Sequence, residues 1–141
     1  MKNLIVIFLL ALHIGCNSQN KNMKETPLVS VIKLKSAEAV LNFEEAKKYI
    51  DLDKVFEKSP ELRDVEKQWK EMVTLFYNLG NDKKFTNHFK YFNYRISEVV
   101  KQSKAEVIFA KINKESQVKE IVYSLENREE NWVVVDIEYT N

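Results

Sequence analysis

Along most of the chain apolar residues recur with one of two periods, and the change of period divides the sequence. From Leu28 the positions Val31, Ile32 and Ala39 fall on one helical stripe. Thr26-Pro27 stands ahead of them, a threonine able to cap and a proline at the first helical position, where its missing N–H is not needed. A helix to about Leu41 is expected, although the β-branched Val29, Val31 and Ile32 also permit a strand. Asn42, with Glu45 three residues on, makes a box-like cap for a short second helix whose apolar side is Phe43, Ala46 and Ile50. Ser59-Pro60 repeats the cap-plus-proline signal. From Leu62 onward, Val65, Trp69, Met72, Val73, Phe76 and Leu79 keep a three-or-four spacing up to Gly80, where this helix is expected to stop.

Beyond Gly80 the period shortens: Phe92, Tyr94 and Ile96 alternate with Asn93 and Arg95, and β-branched and aromatic residues become frequent. Four strands are expected, roughly 89–101, 104–113, 117–126 and 131–139. Short polar breaks at Gln102-Ser103, Lys114-Glu115-Ser116 and 127–131 favour an antiparallel meander. Parity places Asp136 and Glu138 opposite Val133, Val135 and Ile137, and so toward solvent. Helices first and a meander afterwards define an α+β class, with the helices covering one face of the sheet.

The first residues have neither period. Lys2 is followed by an unbroken apolar run from Leu4 to Leu12, the order of a secretory signal peptide. A transmembrane helix needs about 20 apolar residues, and this run is interrupted by His13 and closed by Asn17. Residues 17–26, NSQNKNMKET, hold one apolar side chain among ten and cannot bury enough surface to offset ordering entropy. The expected division is a signal peptide over 1–15, a modified cysteine and flexible tether over 16–26, and a folded domain over 27–141.

Cys16 is the only cysteine, so no disulfide is available to it within the chain. Leu12-His13-Ile14-Gly15-Cys16 resembles the lipobox of bacterial lipoproteins, in which a small residue precedes a cysteine that is acylated on sulfur. The resemblance implies cleavage between Gly15 and Cys16, attachment of fatty acid such as palmitate at Cys16, and anchorage in a lipid bilayer. His13 and Ile14 depart from the usual leucine and small residue of that pattern. One acyl chain holds marginally, at roughly 0.8 kcal/mol per buried methylene, whereas several hold firmly. Asn17 stands where an aspartate would commonly retain a lipoprotein in the inner membrane. In a Gram-negative cell the resemblance therefore favours the outer membrane of the envelope.

Composition then narrows the chemistry. With 45% hydrophobic and 30% charged residues the chain suits one globular domain, and 22 basic against 21 acidic residues give no broad field for nucleic acid. Two glycines leave no phosphate-cradling loop, and one cysteine with two histidines makes no thiolate or imidazole cluster, so neither a cofactor nor a metal is implied. The candidates for proton transfer are Asp51, Asp53 and His88. Asp51 and Asp53 flank Leu52 near a helix junction, where acids commonly cap the next helix. Tyr49, Trp69, Phe76, Phe92, Tyr94 and Tyr123 are candidates to line a ligand pocket, although aromatic residues in this pattern also suit a core. Lys47-Lys48 and Lys83-Lys84 read as solvated charges.

Three passages carry a second resemblance: TPLVSVIKLKSAEAVLNFEEAKKYID, KAEVIFAKI and KEIVYSLENREENWVVVDIEY. They resemble the opening helix pair and last strands of small bacterial lipoproteins of the NTF2-like superfamily, the latter ending in Trp132, Val134 and Val135. The resemblance implies a cone of helices on a curved antiparallel sheet of about four strands. It selects no activity, because the superfamily holds binding modules, isomerases, dehydratases and immunity proteins. A non-catalytic module for a protein partner or small apolar ligand is the leading expectation. A pocket enzyme of isomerase or dehydratase type, and an immunity protein against a secreted toxin, are the alternatives.

Overall fold

A computed structural model of the chain describes residues 25–59, 61, 63–81, 94–112 and 119–140. The expected signal peptide, Cys16, most of the tether, His88 and Phe92 lie outside the described residues. Among these residues four α-helices precede the sheet: α1 (Pro27–Glu38), α2 (Phe43–Ala46) running into a 3₁₀ turn (Lys47–Tyr49), α3 (Leu52–Val55) and α4 (Val65–Asn81). The strands β1 (Tyr94–Lys101), β2 (Lys104–Lys111), β3 (Glu120–Arg128) and β4 (Asn131–Thr140) follow, in the sheet order β1-β2-β3-β4. All three strand pairings are antiparallel. This is the expected α+β meander, a curved and unclosed sheet with helices on one face, in an NTF2-like or cystatin-like arrangement.

Helix α1 begins as its sequence dictates, with the Thr26 hydroxyl accepting from the Val29 N–H at 3.3 Å and Pro27 in the first turn. Its first turn has no acid of its own, and β1 supplies one: Glu98 Oε2 accepts from the Leu28 N–H at 2.7 Å. A carboxylate there meets both an unpaired donor and the positive end of the helix. The helix ends earlier than the pattern implies. Leu41 takes a φ of 55°, and the Asn42 N–H turns back to the Ala37 carbonyl at 2.9 Å, a left-handed stop made without glycine.

Asn42 caps α2 through the Glu45 N–H at 3.2 Å, but only half of the expected box forms. The Glu45 carboxylate accepts instead from Lys48 at 2.5 Å and from the Tyr49 hydroxyl at 3.2 Å. At α4 the expected start is displaced. Asp64, not Ser59, caps it by accepting from the Lys67 N–H at 2.9 Å, and the helix opens at Val65. At its other end α4 passes through Gly80 to Asn81.

The core lies between α1 and the covered face of the sheet. Val31 and Leu34 of α1 meet Val107, Phe109, Tyr123, Leu125 and Val134, all buried. Three rings cross that face edge to face, Tyr94 to Phe109 at 6.2 Å and Phe109 to Tyr123 at 5.5 Å, the geometry that aromatic quadrupoles favour.

One expectation of parity is corrected. Leu125 pairs with Val134 but Ser124 pairs with Asp136, so a β-bulge leaves Val135 as the extra residue. Trp132 and Val134 therefore face the core ahead of the bulge and Ile137 after it, while Val133 sits opposite Glu126 on the far face. Asp136 and Glu138 stay on the uncovered side, where Lys58 donates to both.

Candidate functional site

The most enclosed acid among the described residues is Glu38, in the last turn of α1. Its spacing from Val31 and Leu34 puts it on the stripe that faces the core, so its carboxylate is drawn under the helix layer. Trp69 of α4 donates its indole N–H to Oε1 at 2.9 Å, and Lys35 donates to Oε2. Phe43 closes the other side of the indole with an edge contact at 5.3 Å. Each carboxylate oxygen thus has a donor, the condition under which a buried charge is tolerated.

Tyr139, near the end of β4, lies within electrostatic reach of Glu38. Its hydroxyl is shifted upward by desolvation first, then by Glu38 and Tyr94, although half of the residue's surface remains open. Tyr94 is shifted up by burial alone. Glu38, Trp69, Tyr94 and Tyr139 therefore make a polar seam at one end of the covered face, with neutral phenols at ordinary pH. Of the proton-transfer candidates Asp51, Asp53 and His88, the first two do not belong to this seam and His88 lies outside the described residues. An acid falling on a helix's apolar stripe, as Glu38 does, is the signal that would have found it.

Asp51 is held elsewhere. Its Oδ1 accepts from the Lys54 N–H at 3.1 Å, capping α3, and its Oδ2 accepts from Arg128 at 2.7 Å. Burial pushes the carboxyl up, but the Arg128 guanidinium and the Lys54 N–H together outweigh it and hold the pKa below the usual range. Asp53 is exposed in the first turn of α3.

Of the aromatic candidates, Trp69, Tyr94 and Tyr123 are buried in the core, Tyr49 is half-buried beneath Lys33, and Phe76 is largely exposed on α4. The structure brings Tyr94 and Tyr123 together through Phe109 and sets Trp69 apart against Phe43. Open depressions are present among the described residues. One of about 780 Å³ follows α4 from Asp64 to Asn78, and one of about 210 Å³ lies on the uncovered face beside Val99, Ser124 and Val135. None of the five described candidates, Tyr49, Trp69, Phe76, Tyr94 and Tyr123, lines either. No group of three or more His, Cys, Asp or Glu able to hold a metal occurs among the described residues, and no described helix is long and apolar enough to cross a membrane.

The site belongs to a small α+β domain with helices packed on a four-stranded sheet. Comparison of the chain with protein families, with curated proteins and with solved structures finds no match.

Proposed function

We propose that the chain is a lipid-anchored lipoprotein of the bacterial envelope whose NTF2-like domain binds a protein partner or a small apolar ligand without catalysis. The observation that carries the anchor is the position of Cys16, directly after Gly15 at the end of the apolar run and directly before a polar stretch. Acylated Cys16 would hold the domain at a bilayer through residues 17–26, in the outer membrane where the cell is Gram-negative. A binding role is supported by the structural engagement of the enclosed acids: Glu38 with Trp69 and Lys35, and Asp51 with a helix cap and Arg128. Each of their four oxygens already accepts one hydrogen bond, so both acids have a structural role in the fold.

The anchor is tested by replacing Cys16 with Ala, which is expected to abolish labelling by a fatty-acid probe and to release the chain from membranes. Unchanged labelling would end the proposal. For the domain, affinity capture of the processed chain from its own envelope is expected to recover a bound protein or apolar molecule.

Glu38 also gives the enzyme reading its one structural foothold, since a carboxylate this enclosed is a common starting point for proton transfer. Solvent-deuterium exchange into small ketones, present with the native chain and lost with Glu38→Gln, would establish it in place of the binding role.

A further inference from the structure

Helix α1 is apolar on two opposite sides. Val31, Leu34 and Ala37 are buried against the sheet, while Val29 and Ile32 on the other side, with Val40 just past the helix end, are 39%, 48% and 70% exposed. The outward residues between them include the small Ser36 and Ala39. A surface helix ordinarily shows a polar outward face. In α4, by contrast, Met72 and Phe76 continue the stripe begun by buried Trp69 and Val73. Apart from Leu75 on α4, apolar material opposite the core is gathered on α1 among the described helices, the arrangement expected of contact with a second apolar phase.

Around this face the charges are paired. Lys33 meets Glu25 at 2.7 Å and Lys48 meets Glu45 at 2.5 Å, while Lys33 also lies 5.5 Å from the centre of the Tyr49 ring. The rim is therefore neutral, and it carries a half-buried tyrosine, a residue suited to a membrane–water boundary. Such a rim neither repels anionic lipid nor depends on it.

The length of chain ahead of α1 decides the occupant. By covalent geometry alone, the nine residues 17–25 can span at most about 30 Å. We propose that the outward face of α1, through Val29, Ile32 and Val40, lies on the phospholipid surface to which the chain is anchored. The proposal rests on acylation of Cys16. A short tether raises the effective concentration of the bilayer at this face to the millimolar range, so three apolar side chains need only weak intrinsic affinity. Docking of this kind fixes the orientation of the domain and turns the uncovered face of the sheet away from the membrane.

The test uses the full chain, purified from the membranes of an expressing bacterium and reconstituted in phosphatidylethanolamine–phosphatidylglycerol vesicles carrying a diazirine phospholipid. After photolysis, lipid adducts are expected mainly in the peptide covering 27–40, with little change at high salt. Ile32→Lys, at an exposed position that leaves the circular dichroism spectrum unchanged, is expected to lower those adducts by about a factor of three while the chain still sediments with the vesicles. A chain that sediments but carries adducts evenly on α1, α4 and β4, or unaltered by Ile32→Lys, overturns the docking and leaves the anchor standing. A chain that does not sediment overturns both. Chain-to-chain or partner adducts at 27–40 in place of lipid would assign the face to a second copy or another protein, and would overturn the lipid proposal.

Discussion

Glu38 concentrates the energetic risk of the fold in one side chain, because it is ionisable, 6% exposed and held by two donors from different places. Trp69→Phe keeps most of the packing against Phe43 but leaves Oε1 without its donor. The expected loss is about 2–3 kcal/mol, the cost of breaking a hydrogen bond to a charged buried group. Glu38→Gln keeps an acceptor for the indole and sheds the buried charge, so it should cost less than Trp69→Phe. Urea unfolding of both variants and of the double variant measures the coupling, and strict additivity would mean that the indole and carboxylate do not act together. Asp51 is a second case, with a sign that can be worked out. Its folded pKa lies below the unfolded one, so the folded state binds fewer protons in that range. The contact therefore contributes fully above the ordinary carboxylate range, and that contribution is lost as the pH falls through the lower folded value. Asp51→Asn retains an oxygen to cap α3 yet cannot titrate. Its stability should fall less steeply in acid than that of the native chain, as read from unfolding midpoints between neutral pH and pH 2.

At the scale of elements, alternation and turn chemistry made the meander legible, because period two at Tyr94 and Ile96 and short polar breaks are local signals. What escaped depends on neighbours. The bulge at Val135 is a property of the β3–β4 register, and the Glu98 contact to Leu28 joins residues 70 positions apart. Ser59-Pro60 presents a local cap-plus-proline signal, yet the cap that forms is Asp64, a choice made by the tertiary path of the chain. The β3–β4 turn shows local chemistry overruled in the same way. Glu129 and Glu130 both take positive φ, 50° and 73°, as a two-residue hairpin of this type requires, yet neither is a residue that favours it. Replacing the pair with Asn-Gly should raise stability by about 1–2 kcal/mol by removing the steric cost of left-handed backbone. Thermal or urea unfolding reads the change. A loss of stability would mean that the glutamate side chains contribute more than their backbone costs.

The whole molecule is asymmetric about its sheet. At the β4 edge, Ile50 forms a parallel bridge to Val134 and the Asp51 N–H donates to the Val134 carbonyl at 2.9 Å, while Arg128 ties the same corner through Asp51. That bridge occupies the edge at Val134. At the other edge β1 is buried only at Tyr94, and no strand pairs with its outer side among the described residues. Periodicity shows that β1 is a strand but says nothing of its place in the sheet, since which strand lies at an edge is settled by connection and packing. The candidate site was obscure for a related reason: Glu38, Trp69 and Tyr139 come from the first helix, the fourth helix and the last strand, and no local pattern links them. Stability should be distributed accordingly, because backbone bonds open locally where few buried contacts hold them. Amides of Val107, Phe109, Tyr123 and Leu125, in the two inner strands, are expected to exchange hydrogen only through global unfolding. Those of Ser97, Val99 and Val100 in β1 should exchange through local opening at a free energy several kcal/mol lower. Native-state exchange at increasing urea separates the two classes by their slopes. Global protection throughout β1 would show its outer edge to be covered in solution.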